Sequence, residues 1–252
     1  MSSKISIITV CYNSAKTIEK TLQSISNQTY KNIECIIIDG NSTDDTVNII
    51  KKYENALKIN WISEKDEGLY DAMNKGIKMV TGDYIGILNS DDIFYNNNTI
   101  EDVAKFIDTH VDLDAITGDI VQHTSDGKVI RKYSSKNWTP PKLKIGFMPP
   151  HPSVFIKKEL FDKFGNYRKD YKIGADYELI IRFFLKNKIH YKYSGITTTS
   201  MEIGGASSSG LKSYRIITRE IKKAFEQNSI QYEPLKVQFR FLWKILGYLN
   251  KS

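Results

Sequence analysis

Along the first ninety positions apolar residues follow two rhythms in turn. The stretches KISIITV (Lys4–Val10), IECIIID (Ile33–Asp39), LKINWIS and DYIGILN (Asp83–Asn89) are apolar almost throughout. Such runs predict buried strands, the third a short one. Between them the apolar positions recur at helical spacing. In SAKTIEKTLQSISNQ (Ser14–Gln28) they are Ile18, Leu22 and Ile25, with Ser14 placed to cap the helix. NSTDDTVNIIKKYE turns and then predicts a helix from about Asp44, and GLYDAMNKGIKMV (Gly68–Val80) predicts another. The alternation is β-α-β-α-β-α-β, the pattern of a parallel sheet with helices on both faces.

After Asp92 the rhythm changes. TIEDVAKFID predicts a helix, and DAITGDIVQH and KVIRKYS flank the turn TSDG as a hairpin. PSVFIKKELFDKFG predicts a strand and a short helix, and GADYELIIRFFLKN (Gly174–Asn187) an amphipathic helix. MEIGGASSSG (Met201–Gly210) has the small, polar composition of a mobile loop. Two helical segments follow, Leu211–Gln227 and Leu235–Asn250.

A chain of 252 residues that is 40% hydrophobic and 26% charged can bury a sizeable core. Cys11 and Cys35 have no metal-type spacing, so two reduced thiols in a cytosolic protein are expected. Met1–Lys4 lead into a run too short for a signal peptide, and no apolar run reaches the length of a membrane span. The net charge is +7, and it is concentrated: residues 212–252 carry nine Lys/Arg against three Glu. A tail of that kind suits an anionic membrane surface or nucleic acid.

Ligands of open α/β sheets bind at the carboxyl ends of the strands. Three polar clusters fall there: CYNS after the first strand, DGNSTDDT after the second and NSDD after the fourth. Each alone is also good turn chemistry. There is no G-x-G-x-x-G loop and no Walker lysine, which excludes dinucleotide and P-loop readings. Adjacent Asp91 and Asp92 repel each other. A divalent cation such as Mg²⁺ or Mn²⁺ would compensate them, taking a carboxylate and completing its shell with water and phosphate oxygens.

The ordered set of SIITVCYNSAKTIEKTLQSISNQTYKNIECIIIDGNSTDDT, DEGLYDAMNKGI, GDYIGILNSDD and GADYEL resembles the family 2 glycosyltransferases of GT-A fold, in the style of bacterial O-antigen and capsule enzymes. The resemblance spans about residues 4–200. It implies an α/β fold with a mostly parallel, Rossmann-like sheet sandwiched by helices and a C-terminal helical extension. The catalytic domain would occupy 1–200, with a nucleotide-sugar half to about 95 and an acceptor half from 96. A mobile loop over 201–210 and a basic amphipathic extension over 211–252 would follow.

Carried over by position, the resemblance makes Thr9, Val10 and Tyr12 the lining of the nucleotide base. Asp39 would hold uracil or ribose, with Ser42 and Asp44 completing the pocket. Asp66 and Asp71 would stand near the donor, and Gly68 would allow close backbone approach. Asn89, Ser90 and Asp91 stand where the family has a D-x-D motif, so Asp91, with Asp92 nearby, would hold Mn²⁺ or Mg²⁺. Asp176 would be the general base, with Glu178 beside it only complementing the helix dipole. His151 sits between two prolines and could serve the acceptor or the diphosphate; Trp138 fits the core better than a sugar platform.

The implied activity is metal-dependent, inverting transfer of a sugar from a nucleotide sugar, expected to be UDP-linked, to a hydroxyl of a saccharide acceptor expected to be lipid-linked. In the tail, Lys236, Arg240 and Lys244 form one helical stripe opposite Val237, Phe241, Leu242, Ile245, Leu246 and Leu249. That predicts a helix on the inner membrane face; docking onto its own domain or a homodimer contact would use the same apolar face. A sugar-nucleotide pyrophosphorylase would need a Gly- and Arg-rich loop that VCYNSAKT lacks. A nucleic-acid-binding module has the tail's charge but no recognised motif, and no nucleic-acid partner is expected.

Overall fold

A computed structural model describes residues 2–57, 59–110, 112–124, 127–203 and 210–240. Strands β1 (Ile5–Cys11), β2 (Ile33–Asp39), β3 (Asn60–Ser63) and β4 (Tyr84–Ile87) alternate with helices α1 (Ile18–Ser26), α2 (Thr46–Leu57) and α3 (Leu69–Met79). β5 (Asp92–Phe94), α4 (Thr99–Asp108) and the hairpin strands β6 (Ala115–His123) and β7 (Val129–Ser134) come next. They lead to β8 (Val154–Lys157), α5 (Lys158–Phe164), α6 (Ala175–Ile180), β9 (Tyr191–Glu202), α7 (Gly210–Gln227) and α8 (Pro234–Gln238).

The sheet runs β3-β2-β1-β4-β8-β6-β9-β5, with β7 also paired to β6. β1 to β4 are parallel, as the apolar runs of β1, β2 and β4 predict. The second half is mixed: β8 is antiparallel to β4 and β6, β9 parallel to β6, and β5 antiparallel to β9. Alternate residues of the central strands feed opposite cores. Ile8, Val10, Ile36 and Ile38 meet Tyr70, Met73 and Ile77 of α3. Ile5, Ile7, Cys35 and Ile37 meet Leu22 and Ile25 of α1 and Val103 of α4.

Three expectations change. α1 starts at Ile18 behind Thr17; Ser14 instead opens the preceding turn, its carbonyl accepting from Thr17 and Ile18. The amphipathic stretch Gly174–Asn187 is helical only to Ile180 and then widens into a π-turn over Ile181–Lys186. β9 had no prior signal, because its Thr- and Ser-rich sequence is only half-buried and lacks a clean apolar run. Of the mobile loop expected over Met201–Gly210, residues 204–209 lie outside the described residues, and Met201 and Glu202 belong to β9. Most of the expected last helix, from 241 on, also lies outside them.

Candidate active site

The loops after β1 and β2 are stitched into one wall. Asn13 N–H donates to Ser42 Oγ at 2.8 Å, and Thr43 N–H donates back to Asn13 Oδ1 at 2.8 Å. Asn13 and Asn41 both take positive φ, 49° and 65°, which asparagine tolerates better than most residues. Asp44 caps α2 by accepting from Thr46 N–H at 3.0 Å, and also accepts from Ala15 N–H at 3.1 Å. The Thr46 hydroxyl and these amides hold its carboxyl below the usual range.

β1 runs through Cys11, so Thr9 and Val10 lie inside the strand with buried side chains. Any contact they make with a base would run through the backbone at the end of β1, whereas Tyr12, 63% exposed, presents its side chain. Asp39 is fully buried below it. Its carboxylate accepts from Ser42 N–H at 2.9 Å, Ser63 Oγ–H at 2.6 Å and the Ser42 hydroxyl. It therefore shapes the pocket through Ser42 and Ser63. A Cβ at residue 40 would stand 2.5 Å from Asp66 Oδ2 and 3.5 Å from the Tyr12 ring. Glycine there lets Tyr12, the β2 loop and Asp66 close on one small space.

Asp66 Oδ1 accepts from Gly68 N–H at 2.9 Å, and Gly68 sits at φ 119°, a left-handed conformation open to glycine. Asp71, three residues on, is tied down. It accepts from Glu67 N–H, which with burial opposing and Lys169 assisting keeps its carboxyl low. Lys169 spans Asp71 at 3.2 Å and Glu67 at 2.6 Å, joining this loop to the one before α6.

At the end of β4, Ser90 Oγ lies 3.0 Å from Ser14 Oγ, which joins the acidic turn to the first wall. Asp91 is exposed, whereas Asp92 is buried and accepts from Asn89 Nδ2 at 3.2 Å. Burial, then the Asp91 charge, push the Asp92 carboxyl up to about 7. Asn89 Oδ1 is buried with no donor to meet it. An orphaned oxygen and two acids are a hard, all-oxygen donor set that fits Mg²⁺ or Mn²⁺. No group of three or more acidic, His or Cys side chains among the described residues could enclose a cation, so the rest of the shell would come from phosphate and water.

Asp176 stands in the first turn of α6, half-buried, and accepts from Tyr177 N–H at 2.7 Å. Burial pushes it up to about 6; the Tyr177 and its own amide pull it down, and the Glu220 charge adds to the rise. Tyr70 and Tyr167 stack at 5.8 Å between ring centres, and both phenols feel the Asp176 charge. His151 Nε2 meets Tyr167 Oη at 2.8 Å, and burial lowers His151 to about 4. The structure pairs His151 with Tyr167, beside Asp176; an imidazole kept neutral would meet an acceptor or a diphosphate through hydrogen bonding rather than charge. Asn74 brackets Tyr167 with two bonds, Nδ2–H to the carbonyl at 2.8 Å and Oδ1 from the amide at 2.9 Å.

Two further expectations are revised. Glu178 is no mere dipole complement: it is fully buried, paired with Arg182 at 2.8 Å and Arg168 at 3.3 Å, and bonded to Asn228 at 3.1 Å. Arg182 in turn donates to the carbonyls of Phe164, Gly165 and Asn166, which fixes the chain leading to Tyr167. Arg240 is 4% exposed, so it leaves the expected basic stripe. It donates to Thr218 Oγ1 at 2.6 Å and lies 4.3 Å over the Tyr214 ring. Trp138 is buried against Phe184 and Tyr191, as expected of a core aromatic.

Residues 6–171 match the family profile described as glycosyl transferase family 2. A PGL/p-HBAD biosynthesis glycosyltransferase of Mycobacterium bovis is 30% identical over 206 residues, covering 81% of this chain and 78% of the relative. Among solved structures, S. aureus TarS 1-349 in complex with UDP-GlcNAc aligns with a TM-score of 0.70 at 23% identity, over 95% of this chain and 71% of that one. The mannosyltransferase PcManGT of Pyrobaculum calidifontis, in complex with GDP-Man and Mn²⁺, gives 0.68 at 18% identity, over 95% of this chain and 69% of that one. A longer TarS structure is spanned only to 39% of its length. At these identities the solved structures establish the GT-A fold, while the profile and the mycobacterial relative establish more: the chain belongs to glycosyl transferase family 2 and is a glycosyltransferase.

Proposed function

We propose that this chain transfers a sugar from a UDP-sugar to a hydroxyl of a saccharide acceptor, with inversion and with a divalent cation. One observation carries the reading: Ser90 beside Ser14 ties the acidic turn to the Tyr12 loop, and Tyr70 at the start of α3, next to the Asp66 loop, bonds the Ile173 carbonyl just ahead of Asp176. The exposed Tyr12 ring offers a stacking face for a base, with Asp66 beside it. Ser42, oriented by Asp39, and the neighbouring loop amides offer polar contacts to the nucleoside.

Asp91 would hold the cation, with Asn89 and Asp92 next to it. When bound, the cation neutralises the diphosphate and so helps it leave. Asp176 takes the proton of the acceptor hydroxyl as that oxygen bonds to the anomeric carbon. The bond from that carbon to the diphosphate oxygen breaks, and UDP departs with its electron pair. A single displacement of this kind inverts the anomeric centre. The half-buried setting of Asp176 suits a base, because a carboxyl near 6 is both ionised at neutral pH and basic enough to accept.

Calorimetric titration with UDP tests the reading. Mn²⁺ is expected to tighten UDP binding by about tenfold or more, roughly 1.4 kcal/mol. Equal affinity with and without Mn²⁺ would remove the cation from the site, and tighter binding of GDP would change the donor.

The place of action is part of the same proposal. No described helix is long and apolar enough to cross a membrane. α8 and the residue after it present Leu235, 71% exposed, and Phe239 to solvent, beside Lys236, which pairs with Glu233. Val237 and Arg240 of the same segment face inward, so the fold itself turns two apolar side chains outward. Contact with an anionic membrane surface would bury them and bring a lipid-linked acceptor near. Each added basic residue near such a surface is worth about 1 kcal/mol. In sedimentation with anionic liposomes the full chain should bind, less at high salt, and Leu235→Glu/Phe239→Glu should largely stay in solution. Equal partition of both proteins would point to a soluble acceptor or to a second copy on this face.

A further inference from the structure

The loop that delivers Asp176 is held from behind by a helix that lies beyond the family profile. α7 is amphipathic, with Ile217, Ile221, Ala224 and Phe225 along its inner stripe. Glu220 falls on that same stripe and is 8% exposed. A carboxylate in such a place must be met by donors. Here three successive backbone amides meet it. Lys172 N–H donates to Oε1 at 2.7 Å, and Ile173 and Gly174 N–H donate to Oε2 at 3.0 and 2.8 Å. Gly174 is the residue just before α6, and Asp176 follows two positions later.

The same loop is tied to α7 at two more points. Tyr171 Oη donates to Gln227 Oε1 at 2.6 Å, and Lys223 pairs with Asp170 at 2.6 Å. From the other side, Tyr70 of α3 donates its phenol to the Ile173 carbonyl. Lys223 and Asp170 are half-exposed, so that pair contributes little stiffness. Glu220 is the buried, charge-assisted member, and such bonds are the strong ones. It lacks an ion-pair partner among the described residues, and its bonds are spent on the chain that aims Asp176.

We propose that Glu220 is a positioning residue for the transfer reaction: by gathering the amides of residues 172–174 it sets where α6 begins and therefore where the Asp176 carboxylate stands over the acceptor. This rests on the reading of Asp176 as the base. The C-terminal extension is thereby part of the catalytic machinery, independently of any surface it binds. Glu220 does not touch the nucleotide-side loops, so its effect belongs on turnover and not on donor binding.

Glu220→Gln tests this. The amide keeps the size of the side chain but turns an acceptor oxygen into an N–H₂ that faces a backbone N–H. Release of nucleotide from UDP-glucose, UDP-galactose, UDP-N-acetylglucosamine and GDP-mannose, with Mn²⁺ and water as acceptor, gives kcat and KM for each. Glu220→Gln should lower kcat on the order of 10- to 100-fold, the cost of a misplacement near 1 Å, with donor KM within about twofold of native. Combined with Asp176→Asn it should add almost nothing, since both changes act through one group. Gly174→Ala supplies a second handle should Glu220→Gln not fold. Its Cβ would stand 3.2 Å from Glu220 Cβ and Oε2, crowding the clamp without removing its charge, and the same kcat-only loss is expected.

Native kcat in the folded variants overturns the proposal, and so does a loss shared equally between kcat and KM. Full additivity with Asp176→Asn overturns it as well, because Glu220 would then act elsewhere. A native-like Asp176→Asn identifies a different failure, that of the base assignment. No nucleotide release by the native chain from any of the four donors would overturn the proposed donor class, and the clamp with it.

Discussion

Asp176→Asn is expected to cut the turnover of sugar transfer by about 10²–10⁴-fold, the range for loss of a positioned general base, while donor KM stays near native. The amide preserves shape and still accepts from Tyr177 N–H, so α6 keeps its first turn. What disappears is the capacity to take a proton. The native pH profile should carry the same signature. Burial has raised the carboxyl to about 6, so activity should climb as pH rises through 6 and level off above it. That limb should vanish in the residual activity of the variant.

The linkage has a definite sign. The native chain holds the Asp176 proton to higher pH than the unfolded chain does. Between about 4 and 6 rising pH therefore costs stability through this residue, and above 6 the cost is complete. Asp176→Asn removes the buried charge, so its thermal midpoint at neutral pH should equal or exceed native. A less active but no less stable protein is the mark of a site strained for function. Turnover within a few-fold of native would place the base elsewhere.

How much of this was legible in the sequence depends on which force sets each feature. β1, β2 and β4 are written in Ile-rich, nearly continuous apolar runs, because strands covered on both faces need apolar residues at most positions, whereas the edge strand β3 carries only Trp61 and Ile62. The strand-end clusters are equally visible, since turn chemistry and ligand chemistry draw on the same Asn, Asp, Gly and Ser. β9 was not legible. It is held mainly by pairing with β6 and β5, and its Thr-rich faces carry no clean period. Asp39 was legible as a strand-end carboxylate, but Ser42 and Ser63, the donors that orient it, come together only in the fold.

Glu220 and Glu178 had a signal that sequence alone could not interpret. Each interrupts an apolar helical stripe with a charge, and only the fold supplies the partners, backbone amides for one and Arg182 for the other. The tail misled for a related reason. Arg240 has the right spacing for a basic stripe, yet a guanidinium that can lie over Tyr214 and reach Thr218 is better placed inside. Helical periodicity gives a face, and tertiary packing decides which face turns inward.

Asp91→Ala should abolish the Mn²⁺-dependent gain in UDP affinity, at least about tenfold, and leave the metal-free affinity and the fold intact. The two acids of the turn are not equivalent. Asp92 is buried in β5, its carboxyl bonded to Asn89 and its carbonyl accepting from Thr21 at 2.8 Å. To swing outward it would have to leave the sheet, so Asp91 is the carboxylate free to meet an incoming cation. The Asn at 89 would supply a neutral oxygen where the resemblance expects an acid, which would concentrate the metal contact on Asp91. Binding of Mn²⁺ without nucleotide should accordingly be weak, and strong only when diphosphate oxygens complete the shell. Stability should move the other way from affinity. Removing Asp91 relieves the repulsion that, after burial, holds Asp92 near 7, so the thermal midpoint should hold or rise. Titration with UDP, with and without Mn²⁺, and a melting curve settle both halves. A variant that keeps the Mn²⁺ gain would show that the cation rests on Asp92 or on the diphosphate alone. A variant that melts early would show that the turn, rather than the ligand, needs the second acid.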